Sequence, residues 1–299
     1  SPLEKHDRDC IMDTATLITT ILHGLTLGMV LMLVAGGLTI IFGMLDVLNF
    51  AHGSLYMLGA YMGYTVAAAT GNFALALIAA PIFVGVIGFL IEFFTIRPLY
   101  GRPPLHHLLL TFGLSLIAQN AIKFVWGNDI YSVELPQVLR GIVSFFGVYY
   151  PKYRLFVLGF AALLAVAIWY VITRTRLGVV IRAGTEDIET LEAHGINTRR
   201  VFTIVFVACS ALAAIAGAVV APMRTVYPQM GVDIIIDAFI VVIIGGLGSI
   251  RGAVIGALIL GQAIQLGAVF LTGFSDAAIY IVMAAILLLK PSGLVPEST

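Results

Sequence analysis

The chain has 299 residues, 60% of them hydrophobic and only 11% charged, and its net charge is zero. Soluble domains carry about 25% charged residues, so a soluble fold is excluded, and a neutral chain has no basic footprint for nucleic acid. A mean hydropathy of +1.05 and 31 glycines fit a helical membrane protein, in which glycine lets helix backbones approach closely. The two cysteines are Cys10 and Cys209; Cys209 lies in an apolar run, so no disulfide is expected.

The polar stretch Ser1–Ile11 reads as a tag or disordered tail ahead of Met12. Residues 12–299 read as one transmembrane domain. Apolar segments that could span a bilayer fall at 16–42, 53–70, 73–96, 105–125, 155–173, 201–221, 234–271 and 276–290. A crossing needs roughly 20 apolar residues, and lipid satisfies no open backbone groups. The segment 16–42 is too long for the apolar core of a signal peptide and is read as retained. The segment 234–271 is too long for one crossing, and Gly245–Gly252 interrupts it. That block either breaks a helix inside the membrane or separates two crossings. The expected fold is therefore all-α, with roughly eight to nine transmembrane helices.

The connections carry most of the charge. Residues 97–104 hold Arg97 and Arg102, and 126–154 form a longer mixed loop. Residues 174–200 hold Arg174, Arg176, Arg182, Arg199 and Arg200, with acids between them. The positive-inside rule makes 174–200 cytoplasmic, and parity puts 97–104 inside, 126–154 and the N-terminus outside, and Lys290 inside if the last region crosses three times. Within 174–200, Thr185 is suited to cap a short helix over about 186–194, with Glu186, Asp187 and Glu189 in its first turn and Gly195 just past its end.

Two interrupted apolar segments echo one another: Asn49–Ser54 in the first half and Gly245–Ser249 in the second. Broken helices at corresponding places in two related halves point to a transport path. On that reading Asp46, Asn49, His52 and Gly53, with Gly246, Gly248 and Ser249, are the candidate path residues. The competing reading makes them interfacial turns and helix caps. Glu92 is expected to pair with a basic group, and Gln119, Asn120, Gln262 and Gln265 to bond between helices. Asp233 and Asp237 suit the start of a helix. No glycine precedes any lysine, so no G-x-x-x-x-G-K-[ST] phosphate loop exists, and there is no H-E-x-x-H. The chain is not expected to be an enzyme or to bind a metal.

Gly24–Gly28, Gly37–Gly43, Asn49-Phe50-Ala51-His52-Gly53, Tyr56–Tyr61, Glu92 with Arg97-Pro98-Leu99, Thr111–Ser115, Arg182-Ala183, Gly195-Ile196-Asn197, Ala213–Gly217 and Gly245–Gly252 follow one another along the chain. In that order they resemble the H-type permease of branched-chain amino-acid ABC importers, over most of Thr16–Pro291. The resemblance implies a second, homologous M-type permease, two cytoplasmic ATPases that use ATP and Mg²⁺, and an extracytoplasmic solute-binding protein. No cofactor is implied for this chain. It also implies a multi-pass location in a bacterial or archaeal plasma membrane, the inner membrane in a Gram-negative cell. The Arg182–Asn197 segment matches the family's coupling loop, making Arg182, Thr185, Glu186, Asp187, Glu189, Glu192 and Gly195 candidates for ATPase coupling. Ile188 stands where the family often has proline, and Thr190-Leu191-Glu192 replaces a more Ala- and Arg-rich stretch. Related permeases carry urea, short amides or aromatic acids, and a self-contained channel or secondary transporter is the reading from another class.

Overall fold

The computed structural model describes residues 14–145, 148–270 and 275–295; the tail expected at Ser1–Ile11 lies outside them. Helices run at Thr14–Leu45 (α1), Ala51–Thr70 (α2), Phe73–Ile91 (α3), Pro104–Trp126 (α4), Lys152–Arg174 (α5), Arg176–Glu186 (α6), Ile188–Ala193 (α7), Thr198–Val220 (α8), Met230–Gly245 (α9), Ile250–Phe270 (α10) and Ser275–Leu289 (α11). By length and composition, 6 of the helices can cross a membrane: those at α1, α3, α4, α5, α8 and α10. α2, α9 and α11 are shorter or more polar and complete the bundle. One small exception to the all-α expectation lies between α4 and α5. There β1 (Ile142–Phe145) pairs antiparallel with β2 (Val148–Pro151), in the register Ile142↔Pro151 and Phe145↔Val148.

Local sequence sets the element ends. Gly71 closes α2 at φ 65, a left-handed conformation that glycine adopts without steric cost. Asn72 then caps α3, its side chain accepting from the Ala74 and Leu75 N–H groups at 3.0 and 3.2 Å. The far end of α3 loosens into a π-turn at Glu92–Ile96 and a 3-10 turn at Arg97–Leu99, because Pro98 cannot donate to a continuing helix. Threonines inside the apolar helices satisfy themselves: Thr39 donates back to Ala35 at 2.7 Å and Thr26 to Leu22 at 2.8 Å.

Small residues mark the helix crossings. Gly261 of α10 lies against Gly24 and Gly28 of α1, Gly59 of α2 against Ala214 of α8, and Gly88 of α3 against Ser210 of α8. Lipid offers no hydrophobic drive between helices, so close backbone packing holds them together. The residues between are aliphatic and fully buried, including Leu31, Leu33 and Leu38 on α1 and Val241 on α9.

The packing repeats with reversed direction. α1 packs along α10 as α8 packs along α3, and α2 packs on α8 as α9 packs on α1. α1 ends beside α6, where the Gly43 backbone meets Thr185. α8 ends at the opposite face, where Tyr153 donates to the Val219 carbonyl at 2.8 Å. After each of these helices the chain turns back into the bundle, over 46–50 and over 221–229, before α2 and α9 begin. This corrects the sequence reading. The counterpart of the first break is 221–229, and Gly246–Ser249 is the turn that joins α9, which begins inside the bundle, to the crossing helix α10.

Candidate functional site

The first break enters deeply. His52, at the start of α2, contacts the Val34 carbonyl of α1 through Nε2 at 3.1 Å. Val34 lies eleven residues before the α1 terminus at Leu45, about 16 Å along the axis at 1.5 Å per residue. The break is tethered to α4: the Phe50 N–H donates to the Thr111 hydroxyl, which donates to the Leu48 carbonyl, both at 3.2 Å. At the same level α9 begins. Gly53 of α2 and Gly231 of α9 face each other, and a Cβ on Gly231 would lie 2.8 Å from the Gly53 carbonyl oxygen. Two helix starts of opposite direction thus meet inside the bundle, the arrangement in which broken helices frame a solute path.

Polar groups here are buried and incompletely satisfied. Asn49 and His52 are both 0% exposed. Neither the amide nitrogen nor the amide oxygen of Asn49 has a hydrogen-bond partner, nor does His52 Nδ1. His107, one turn before Thr111 on α4, is also buried, and its ring meets the Pro103 carbonyl. The sequence analysis assigns His107 no role; its place four residues before Thr111 is the signal that could have found it. Buried polar groups are normally paired, and an unpaired one costs about 1–3 kcal/mol.

The other candidate path residues sit elsewhere. Asp46 stands at φ 50, the one described non-glycine residue at positive φ, beyond the end of α1. It lines a cavity of about 520 Å³ together with Gly43, Gly184, Thr185, Asp187, Glu189 and Gly248. Gly246 (φ 104) and Gly248 (φ 83) turn the chain between α9 and α10, and Ser249 caps α10, accepting from the Gly252 N–H at 3.1 Å. The seven residues therefore divide into a deep group (Asn49, His52, Gly53), a cavity group (Asp46, Gly248) and a structural turn (Gly246, Ser249).

The charged connection is also rearranged relative to expectation. Instead of one helix capped by Thr185 there are two, α6 and α7. Thr185 lies in the last turn of α6, donating to the Arg182 carbonyl at 2.7 Å. The cap of α7 is Asp187, which accepts from the Thr190 N–H at 3.0 Å and from the Thr190 hydroxyl. Asp187 wins because its backbone is extended, φ −156, as a capping residue requires. These two hydrogen bonds, the hydroxyl's first, hold its carboxyl below the usual carboxylate range. Arg182 donates to the Ile172 carbonyl at the end of α5, where a cation favours the helix dipole. Glu192 accepts from Thr198 at the start of α8, and Gly195 takes φ 76 just past α7, as expected. Asp187, Glu189 and Glu192 are exposed. The backbone of Glu186 ends α6.

Nearby, Glu92 is fully buried and holds α3 to α8. It accepts from the Tyr100 hydroxyl at 2.7 Å and the Thr203 hydroxyl at 2.8 Å, with Arg97 at 3.7 Å. The expected basic partner is present, and the shell is structural. Gln119 donates to the Pro228 carbonyl at 3.3 Å and Gln262 to the Ile21 carbonyl at 2.9 Å, while Asn120 bonds within its own helix.

A bundle of apolar helices, with two oppositely directed broken segments and a charged helical connection at one end, defines a multi-span membrane permease. The chain belongs to the family described as branched-chain amino acid transport system / permease component, which matches residues 20–290. It is 33% identical over 293 residues to the high-affinity branched-chain amino acid transport permease BraD of Pseudomonas aeruginosa, covering 92% of this chain and 94% of that protein. It is 33% identical over 290 residues to LivH of Escherichia coli, covering 91% and 93%. An archaeal relative, a probable LivH of Methanocaldococcus jannaschii, is 30% identical over 279 residues, covering 88% of each chain. The H-type resemblance is thereby borne out. No solved structure matches the chain.

Proposed function

We propose that this chain is the permease subunit of an ATP-driven importer that carries branched-chain amino acids inward by alternating access. Its partners on this reading are a second, M-type permease, two ATPases that bind ATP and Mg²⁺ beneath α6 and α7, and a solute-binding protein on the opposite face. The end bearing α6 and α7 faces the cytoplasm, and the membrane is the plasma membrane of a bacterium or archaeon, the inner one in a Gram-negative cell. The names of the relatives support the substrate class.

One observation carries the coupling. Asp187 and Glu189, at the start of α7, share a single cavity with Asp46, at the first helix break, and with Gly248, in the α9–α10 turn. A displacement of α7 by an ATPase therefore reaches both halves of the bundle without an intermediate element. ATP can drive the change only by binding one state more tightly than the other. Opening at the break would give the unpaired groups of Asn49 and His52 water or solute to bond, which offsets their burial cost. A self-contained channel would leave the exposed acidic face of α7 without a role.

The test is coexpression of the chain with its genomic neighbours. Replacing Asp187 and Glu189 by Lys should reduce ATPase copurification and uncouple hydrolysis from leucine uptake. Full assembly with normal uptake in that variant would remove the coupling role of α7. Failure of the wild-type chain to copurify with any ATPase would remove the importer reading.

A further inference from the structure

A second cavity lies at the opposite end of the bundle, among α1, α2, α5, α9 and α10 and the end of α8. It is small, about 50 Å³, and its lining is chemically divided. Arg154, Arg224, His23, Tyr56 and Gln265 supply polar groups, and Leu27, Val30, Met223 and Ile234 supply an aliphatic wall. Resting on the transport reading, we propose that this cavity is the entry site for the solute and recognises an amino acid by its carboxylate and its aliphatic side chain. The guanidinium groups of Arg154 and Arg224 would hold its carboxylate, and the aliphatic wall its side chain.

Two observations support the assignment. Arg154 lies in the first turn of α5 with Lys152 and with no acid there, so its charge opposes the helix dipole and adds to the positive potential of that helix end. A cation retained at that cost, beside an apolar bundle, marks an anion's position. The edge of the cavity is built: His23 packs on the Tyr150 ring at 5.1 Å, and the Tyr150 hydroxyl lies 3.0 Å from that of Thr26. His23 Nε2, in the lining, is buried without a hydrogen-bond partner. At about 50 Å³ the cavity holds no more than a few waters, so an amino acid enters only when the surrounding helices part, as alternating access requires.

The test uses the assembled transporter in proteoliposomes with saturating binding protein. Arg154→Gln and Arg224→Gln should each lower ATP-driven leucine uptake about tenfold, the scale for a lost charge-assisted contact, and the Lys variants should retain more. Independently, Met223→Cys in a chain with Cys10→Ser and Cys209→Ala reports occupancy through its rate of thiol modification. L-leucine should slow modification, and L-leucinamide, which lacks the carboxylate, should not. Unchanged uptake in both Gln variants, or equal protection by the two ligands, overturns the assignment. If a Gln variant fails to assemble, the protection comparison decides. Absence of ATP-driven uptake by the wild-type complex instead overturns the transport reading, which the protection assay does not use.

Discussion

Asn49 and Glu92 are both fully buried polar residues, and their surroundings separate their roles. Glu92 has its oxygens occupied by Tyr100, Thr203 and Arg97, so it acts as a tie between α3 and α8. Glu92→Ala should destabilise the protein by about 3 kcal/mol, because it leaves buried donors unpaired, whereas Glu92→Gln should keep leucine uptake. Loss of uptake in a stable Glu92→Gln protein would point to proton transfer. Asn49 has no partner for either amide atom. Asn49→Leu should therefore raise the unfolding midpoint, since it removes a buried unpaired amide that costs about 1–3 kcal/mol. Uptake should fall at least about tenfold in the same variant if Asn49 serves the path. Unchanged uptake with raised stability would make Asn49 a structural residue. The residue types at both positions were legible in the sequence. Their satisfaction was not: Glu92 is tied by Thr203, 111 residues further along the chain, while Asn49 is left without a partner where the helices meet.

At the scale of elements, the connection between α5 and α8 was expected as one helix and is two. Its polar residues predicted helix caps correctly in kind, but Thr185 and Asp187 are both good capping residues. Only the backbone, extended at Asp187, selects between them. The choice has a pH signature. The Thr190 hydroxyl and N–H hold the Asp187 carboxyl below the usual carboxylate range. Its contribution to α7 is therefore fully present above that range and is lost as pH falls through the lower folded value. The protection of the Thr190 amide against exchange, taken relative to its intrinsic rate at each pH, should fall on acidification through that range in nanodisc-embedded protein. In Asp187→Asn the fall should be absent, because asparagine caps without titrating. Persistence of the acid response in that variant would assign it to another group.

For the whole molecule, the reversed repeat explains how one exposed segment reaches both halves. The cavity beneath α1 brings Asp46, Glu189 and Gly248 together although they are far apart in sequence. A thiol-cleavable cross-linker between Asp46→Cys and Glu189→Cys, in a chain without its native cysteines, should arrest uptake, and reduction should restore it. Uptake that continues in the cross-linked protein would show that α7 and the first break need not move apart. The membrane class and most helix positions follow from composition and apolar run length, because lipid forces each crossing to satisfy its own backbone. Gly245–Gly252 likewise announced an interruption within its long apolar run. What the sequence could not assign was the partner of the first break. Glycine and serine mark both turns between crossings and entries into the bundle, and they look alike in one dimension. The meeting of Gly53 with Gly231, and the division of the path candidates into a deep group and a cavity group, came only from tertiary structure. Which backbones touch is settled by how helices far apart in the chain cross.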